Sequence, residues 1–160
     1  YSLSRLEAQK LAYFLQAAGE PLKLNYEKQQ YGPYAHNLNH VLQVMEGSFI
    51  RGYGDGTQQS EIRTLPGAVQ TAQEFLAGDP DAQRRLRRIE QLIAGFETPY
   101  GLELLATVLW LAQQNPQIAQ DADAIITAMQ QWSDRKKARY QPHHIRLAWQ
   151  RLREEQWAPQ

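Results

Sequence analysis

No cysteine occurs in the sequence, which excludes thiol catalysis, zinc centres built on Cys and a disulfide framework, and suits a reducing compartment. Net charge is absent too: seventeen Lys and Arg are balanced by seventeen Asp and Glu. A dedicated nucleic-acid binder or membrane-surface protein carries a long-range field that this chain lacks, so an electrostatic partner has to be met by a local patch. No apolar stretch approaches the ~20 residues that span a bilayer, and no basic segment followed by an apolar one opens the chain. These absences predict a soluble, cytoplasmic protein without a membrane partner. The sequence starts at Tyr1 with its first element close behind, and we read it as a piece cut from a longer polypeptide.

What is present is a string of helix signals with two β signals near the start. Ser4 and Glu7 have capping-box spacing, with Leu3 placed as the hydrophobic staple. Leu6, Leu11, Phe14, Leu15 and Ala18 then keep a helical face that Gly19 ends. Leu22, Leu24 and Tyr26 alternate with polar residues as a half-buried strand does, and Tyr31-Gly32-Pro33 reads as a turn. A second helix runs through Leu38, Val41, Leu42 and Met45 to Gly47. Phe49, Ile50, Arg51 and Tyr53, the turn Gly54-Asp55-Gly56, and Ile62, Thr64 and Leu65 compose a hairpin.

From Pro66 onward every signal is helical. Val69, Ala72, Phe75 and Leu76 suggest a short helix, Asp79-Pro80 caps a longer one, and Thr98-Pro99 opens the most apolar of all, predicted to be central and buried. Two more follow, one through Ile125 and Trp132 and one after Gln141-Pro142. The expectation is a single domain over residues 1–160, mainly α (α+β): a compact multi-helix fold with a small N-terminal β element and hairpin, winged-helix-like in part.

Chemistry has few footholds. His36 and His40 stand four apart on the second helix but lack a third ligand, so they read as solvated histidines and no metal is expected. His143 and His144 are adjacent and point to different sides of a helix. The glycines after Arg51 lack the Lys-Ser/Thr pair and the following helix of a phosphate loop. Two basic clusters, "RRLRR" (84–88) and "DRKKARY" (134–140), could hold phosphates; the second is read as a polar loop between helices and is the stronger candidate. Paired carboxylates fall at helix N-termini, where they suit the macrodipole, and no nucleophile–base motif is found. The residues alone therefore point away from an enzyme, with no catalytic residue, no cofactor and no small-molecule substrate.

The segment 7–56, with its Lys-Leu-x-Tyr-Phe-Leu-Gln run and Tyr-Gly-Pro-Tyr, closely resembles the start of the C-terminal domain of the DarG antitoxin family, and a weaker similarity covers 98–152. In that family an N-terminal macrodomain removes ADP-ribose from thymidine in DNA, while the C-terminal domain binds the DarT toxin, a DNA ADP-ribosyltransferase, and blocks it. The resemblance implies that this sequence, which has no macrodomain, is the toxin-binding half and is not itself an enzyme. Tyr31, Tyr34, Arg51 and Tyr53 lie in the matching segment and are the expected partner-binding residues, since rigid aromatics and arginines are typical interface anchors. The expected mechanism is occupation of the toxin's single-stranded DNA site by carboxylates and rings standing in for phosphates and bases. The competing reading is a DNA-binding transcriptional regulator of a toxin–antitoxin operon, with nucleic acid as its partner.

Overall fold

The structure, a computed structural model, describes residues 2–52 and 61–158. They form eight α-helices and two small sheets in the order β1 (Ser2–Ser4), α1 (Arg5–Ala17), β2 (Tyr26–Gln29), β3 (Gly32–Ala35), α2 (His36–Met45), β4 (Ile50–Arg51), β5 (Glu61–Thr64), α3 (Ala68–Ala77), α4 (Pro80–Ile93), α5 (Pro99–Gln114), α6 (Ala122–Trp132), α7 (Asp134–Arg139) and α8 (Pro142–Glu154). The chain is thus mainly α with a minor β part, as its pattern predicts. It divides into two units, one of residues 1–27 and 34–89, the other of residues 28–33 and 90–160. No described helix is long and apolar enough to cross a membrane.

The first unit opens with the predicted capping box: Glu7 N–H donates to Ser4 Oγ and Ser4 N–H to Glu7 Oε1, each at 3.1 Å. Leu3, expected only as a staple, lies in a strand the sequence reading missed. Strand β1 pairs antiparallel with β5, Leu3 opposite Ile62, and β5 pairs with β4, Ile50 opposite Thr64, giving the order β1-β5-β4. A hairpin after two helices is the wing-like order the sequence suggests. The predicted turn Gly54-Asp55-Gly56, like Tyr53, lies outside the described residues. Leu24, Ala35, Leu38, Leu42, Ile50 and Ile62 form the apolar core of this unit.

Helix α1 buries a different face from the one its leucines mark. Gln9, Lys10, Tyr13 and Phe14 are its buried residues, while Leu6, Leu11 and Leu15 are only half-buried. The reason is hydrogen bonding. Gln9 donates to the Ala35 carbonyl at 2.8 Å and accepts from the Ala35 amide at 2.9 Å. Two turns on, Gln16 does the same to Leu24, at 2.9 and 2.7 Å. Asn37 completes the set, donating to the Lys23 carbonyl and accepting from the Asn25 amide, both at 3.0 Å. Primary amides carry a donor and an acceptor side by side, so each can serve the backbone as a neighbouring strand would.

These bonds explain a misplaced strand. Leu22 and Leu24 alternate as a strand would, but the Leu22 N–H donates to the Glu20 carbonyl, the Leu24 backbone is held by the Gln16 side chain, and the ladder begins only at Tyr26. The expected turn Tyr31-Gly32-Pro33 is likewise shifted: Gln30 and Tyr31 make the turn, while Gly32 and Pro33 already lie in β3. Proline is tolerated there because β2 and β3 form a two-stranded sheet, where a missing N–H can face away from the ladder. Helix α3 forms over the predicted residues, but none of them is buried, and Val69 and Phe75 are exposed.

The second unit is built around α5, which is buried along nearly its whole length, as its all-round apolar pattern predicts. Thr98 caps it by accepting from Gly101 N–H at 2.9 Å. A Cβ at position 101 would meet the Phe96 carbonyl oxygen at 2.4 Å, so only glycine lets the preceding loop close onto the first turn. Leu104, Leu105 and Leu109 of α5 share this core with Ile125 and Met129 of α6 and Ile145 and Leu152 of α8.

Replacing Gln9 by Leu keeps the volume but strands both backbone groups of Ala35. Urea denaturation should show a loss on the order of 2–4 kcal/mol, whereas Gln43→Leu, on the exposed side of α2, should change stability by less than about 0.5 kcal/mol.

Candidate partner-binding site

The "DRKKARY" segment is a helix rather than a loop. Ser133 caps α7 by accepting from Lys136 N–H at 3.1 Å, and this turns Arg135 and Lys136 inward onto Glu103 of α5. Arg135 grips both carboxylate oxygens, at 3.0 and 3.2 Å, and Lys136 Nζ donates to Oε2 at 2.8 Å. Lys136 has no solvent-exposed side-chain surface and Glu103 only 7%. Two of the four cations expected to hold phosphates, Arg135 and Lys136, are therefore committed to an internal carboxylate, while Lys137 and Arg139 are exposed.

Burial alone would raise the Glu103 pKa, but the Arg135 hydrogen bonds and the charge and hydrogen bond of Lys136 outweigh it and hold the carboxyl at about 2. Burial lowers the Lys136 pKa, partly offset by the charge of Glu103. Tyr140, also buried, has its phenol pushed upward by burial and by the neighbouring carboxylate.

Around this ion cluster lies the tip of the β2–β3 hairpin, residues 28–33, which belongs to the same unit. The Tyr31 ring lies 4.4 Å from the Arg135 guanidinium, and Trp132 has Lys28 Nζ at 4.5 Å and Lys136 Nζ at 5.3 Å from its ring centre. Trp132 Nε1 donates to the Gln29 carbonyl at 3.1 Å, which fastens the tip. Cations stacked on aromatic faces both bind and orient the rings. The result is a half-buried tyrosine held at a rigid edge.

The other expected anchors are in the first unit. Tyr34 of β3 is half-buried, accepts from Asn39 Nδ2 at 3.0 Å, and meets the His36 ring edge-on with centres 5.0 Å apart. Arg51 of β4 is exposed. Tyr31 thus falls in one unit, Tyr34 and Arg51 in the other, and Tyr53 outside the described residues. His36 lies 3.5 Å from Glu27 at the surface, and no group of three His, Asp or Glu among the described residues could hold a metal.

Sequence reasoning missed Glu103, Arg135, Lys28 and the stacked role of Trp132. A signal existed in Glu103 itself: one carboxylate within "GLELLATVLWL" must be buried if that helix is, and a buried carboxylate requires a cation. His144, set aside as a ligand, has Nδ1 2.8 Å from the Tyr100 hydroxyl, beside a groove of about 440 Å³ that Phe96 and Arg151 also line. Arg151 is occupied there, donating to the Leu92 and Ala94 carbonyls at the end of α4.

Over 146 residues, 91% of its length, the chain is 49% identical to a Thermus aquaticus protein named DNA ADP-ribosyl glycohydrolase. Proteins of the same name from Mycobacterium bovis and Mycobacterium tuberculosis are 35% identical over 157 residues, 94% of the chain. The chain spans 40% of the first relative and 44% of the other two. No family model matches it. The name agrees with the DNA ADP-ribose chemistry that the DarG resemblance implies. It also corrects the expectation that this is not an enzyme: relatives aligned along nine-tenths of the chain are named for an enzymatic activity. That expectation rested on the resemblance and on the absence of a nucleophile–base motif, and the second is weak ground because groups acting on a glycosidic bond are brought together by a fold at no fixed interval in sequence.

A pH titration of stability tests the Glu103 cluster. A carboxyl at about 2 in the fold and near 4.5 when unfolded stabilises the chain above that upper value and loses the contribution as pH falls toward the lower one. Melting temperature should therefore drop between those pH values. Glu103→Gln should flatten that drop and cost about 3–5 kcal/mol at neutral pH, because two cations are left without their carboxylate.

Proposed function

We propose that this chain belongs to a DarG-type protein acting on DNA ADP-ribosylation, and that it binds and neutralises a DarT-type ADP-ribosyltransferase toxin. The observation that carries this reading is the 49% identity along 91% of the chain, which includes the Tyr-Gly-Pro-Tyr hairpin on which the DarG resemblance rests. The geometry supports it. The hairpin tip, held by the Arg135 and Trp132 contacts, presents Tyr31 with little freedom left to lose, and preordering of this kind favours affinity.

In this mechanism the toxin's single-stranded DNA site is occupied by the antitoxin surface. A groove that accepts DNA is basic and lined with stacking surfaces, so tyrosine rings take the place of bases and exposed carboxylates take the place of phosphates.

The test is the initial rate of thymidine-oligonucleotide ADP-ribosylation by a DarT-type toxin, with the purified chain titrated in. Release of ADP-ribose from premodified oligonucleotide is followed in parallel, which separates blocking of the toxin from reversal of its product. The rate should reach zero at one equivalent, and an undiminished rate at tenfold excess would end this reading. The double variant Tyr31→Ala/Tyr34→Ala should need at least ten times more protein for the same inhibition.

A further inference from the structure

We propose that the outer face of the β4–β5 hairpin is a DNA-backbone contact, with Arg51 and Arg63 as its phosphate-binding pair. The two arginines stand directly opposite each other in the antiparallel register. Side chains so placed share one face of the sheet, and like charges in that relation repel. The opposite face carries Ile50 and Ile62 into the core, so the arginines are held outward, and Arg63 is 71% exposed. Among the described residues its acidic neighbour, Glu61, is 3.5 Å away at the surface, too long and too solvated to offset the repulsion. Among the described residues Arg51 has no acidic partner.

The pair is also held in place. Gly52, next to Arg51, has φ +102°, and a Cβ there would meet the Glu61 carbonyl oxygen at 2.1 Å. Its N–H donates to Glu46 Oε1 at 3.1 Å, tying the strand end to the segment after α2. An open groove of about 630 Å³ lies along this edge, lined by both arginines with Glu61 and Thr64. An exposed, rigid, self-repelling guanidinium pair is stabilised by an anion that bridges it, and successive phosphates on a strand are such anions. A basic, DNA-accepting toxin surface would repel the pair, so the chemistry favours the nucleic acid itself, the molecule named in the relatives' activity.

The inference does not depend on toxin neutralisation, and its test contains no toxin. Fluorescence anisotropy of labelled 20-mer oligonucleotides, single-stranded and duplex, is measured with the whole chain from 50 to 200 mM salt. Binding should weaken with salt, and Arg51→Gln/Arg63→Gln should reduce the log–log slope by ~1.4 for single strands or ~1.8 for duplex and weaken binding at 50 mM at least tenfold. Melting temperature should be unchanged or higher, and Arg51→Lys/Arg63→Lys should keep most of the binding. The proposal is overturned if neither oligonucleotide binds at 50 mM salt, if the Gln variant binds as the parent does, or if the Lys variant is as impaired as the Gln variant.

Discussion

One buried carboxylate organises the second unit. Glu103 interrupts an otherwise apolar helix, and an ionised group so placed is tolerated only with its charge matched and its lone pairs filled. Arg135 and Lys136 supply both needs, which requires α7 to fold as a capped turn against α5. Trp132 and Tyr31 then stack on the same cations, so the tip of a distant hairpin is positioned by an ion cluster it never enters. The geometry of the candidate binding edge therefore follows from electrostatics inside the unit.

The first unit answers a different constraint with the same economy. A chain passing between α1 and α2 has backbone groups to satisfy and too few residues to build a ladder throughout. Gln9, Gln16 and Asn37 take the place of a missing strand. The sheet that does form brings two arginines into register on its exposed side, at some electrostatic expense.

Helices were legible wherever burial followed periodicity or a cap had a standard spacing. The Ser4–Glu7 box, the Thr98 cap and the buried α5 were all visible, because each depends on residues within one turn of each other. What could not be read were pairings across long sequence separations. Strand β1 needs β5 some sixty positions away, and Glu103 needs Arg135. The Gln9 contacts were hidden for a further reason: a buried glutamine looks like a solvated one until its backbone partner is known. Of the expected anchors, Tyr31 and Tyr34 sit on the hairpin these contacts hold, and Arg51 sits in the exposed rung.

The amide clasp has one more consequence. Gln9, Gln16 and Asn37 touch main-chain atoms, which every residue other than proline presents alike. The backbone of Lys23, Leu24, Asn25 and Ala35 is thus recognised without regard to the side chains it carries. Substitutions along that loop can alter what the surface displays while its course is conserved, so related proteins are able to diverge in partner choice on a common template.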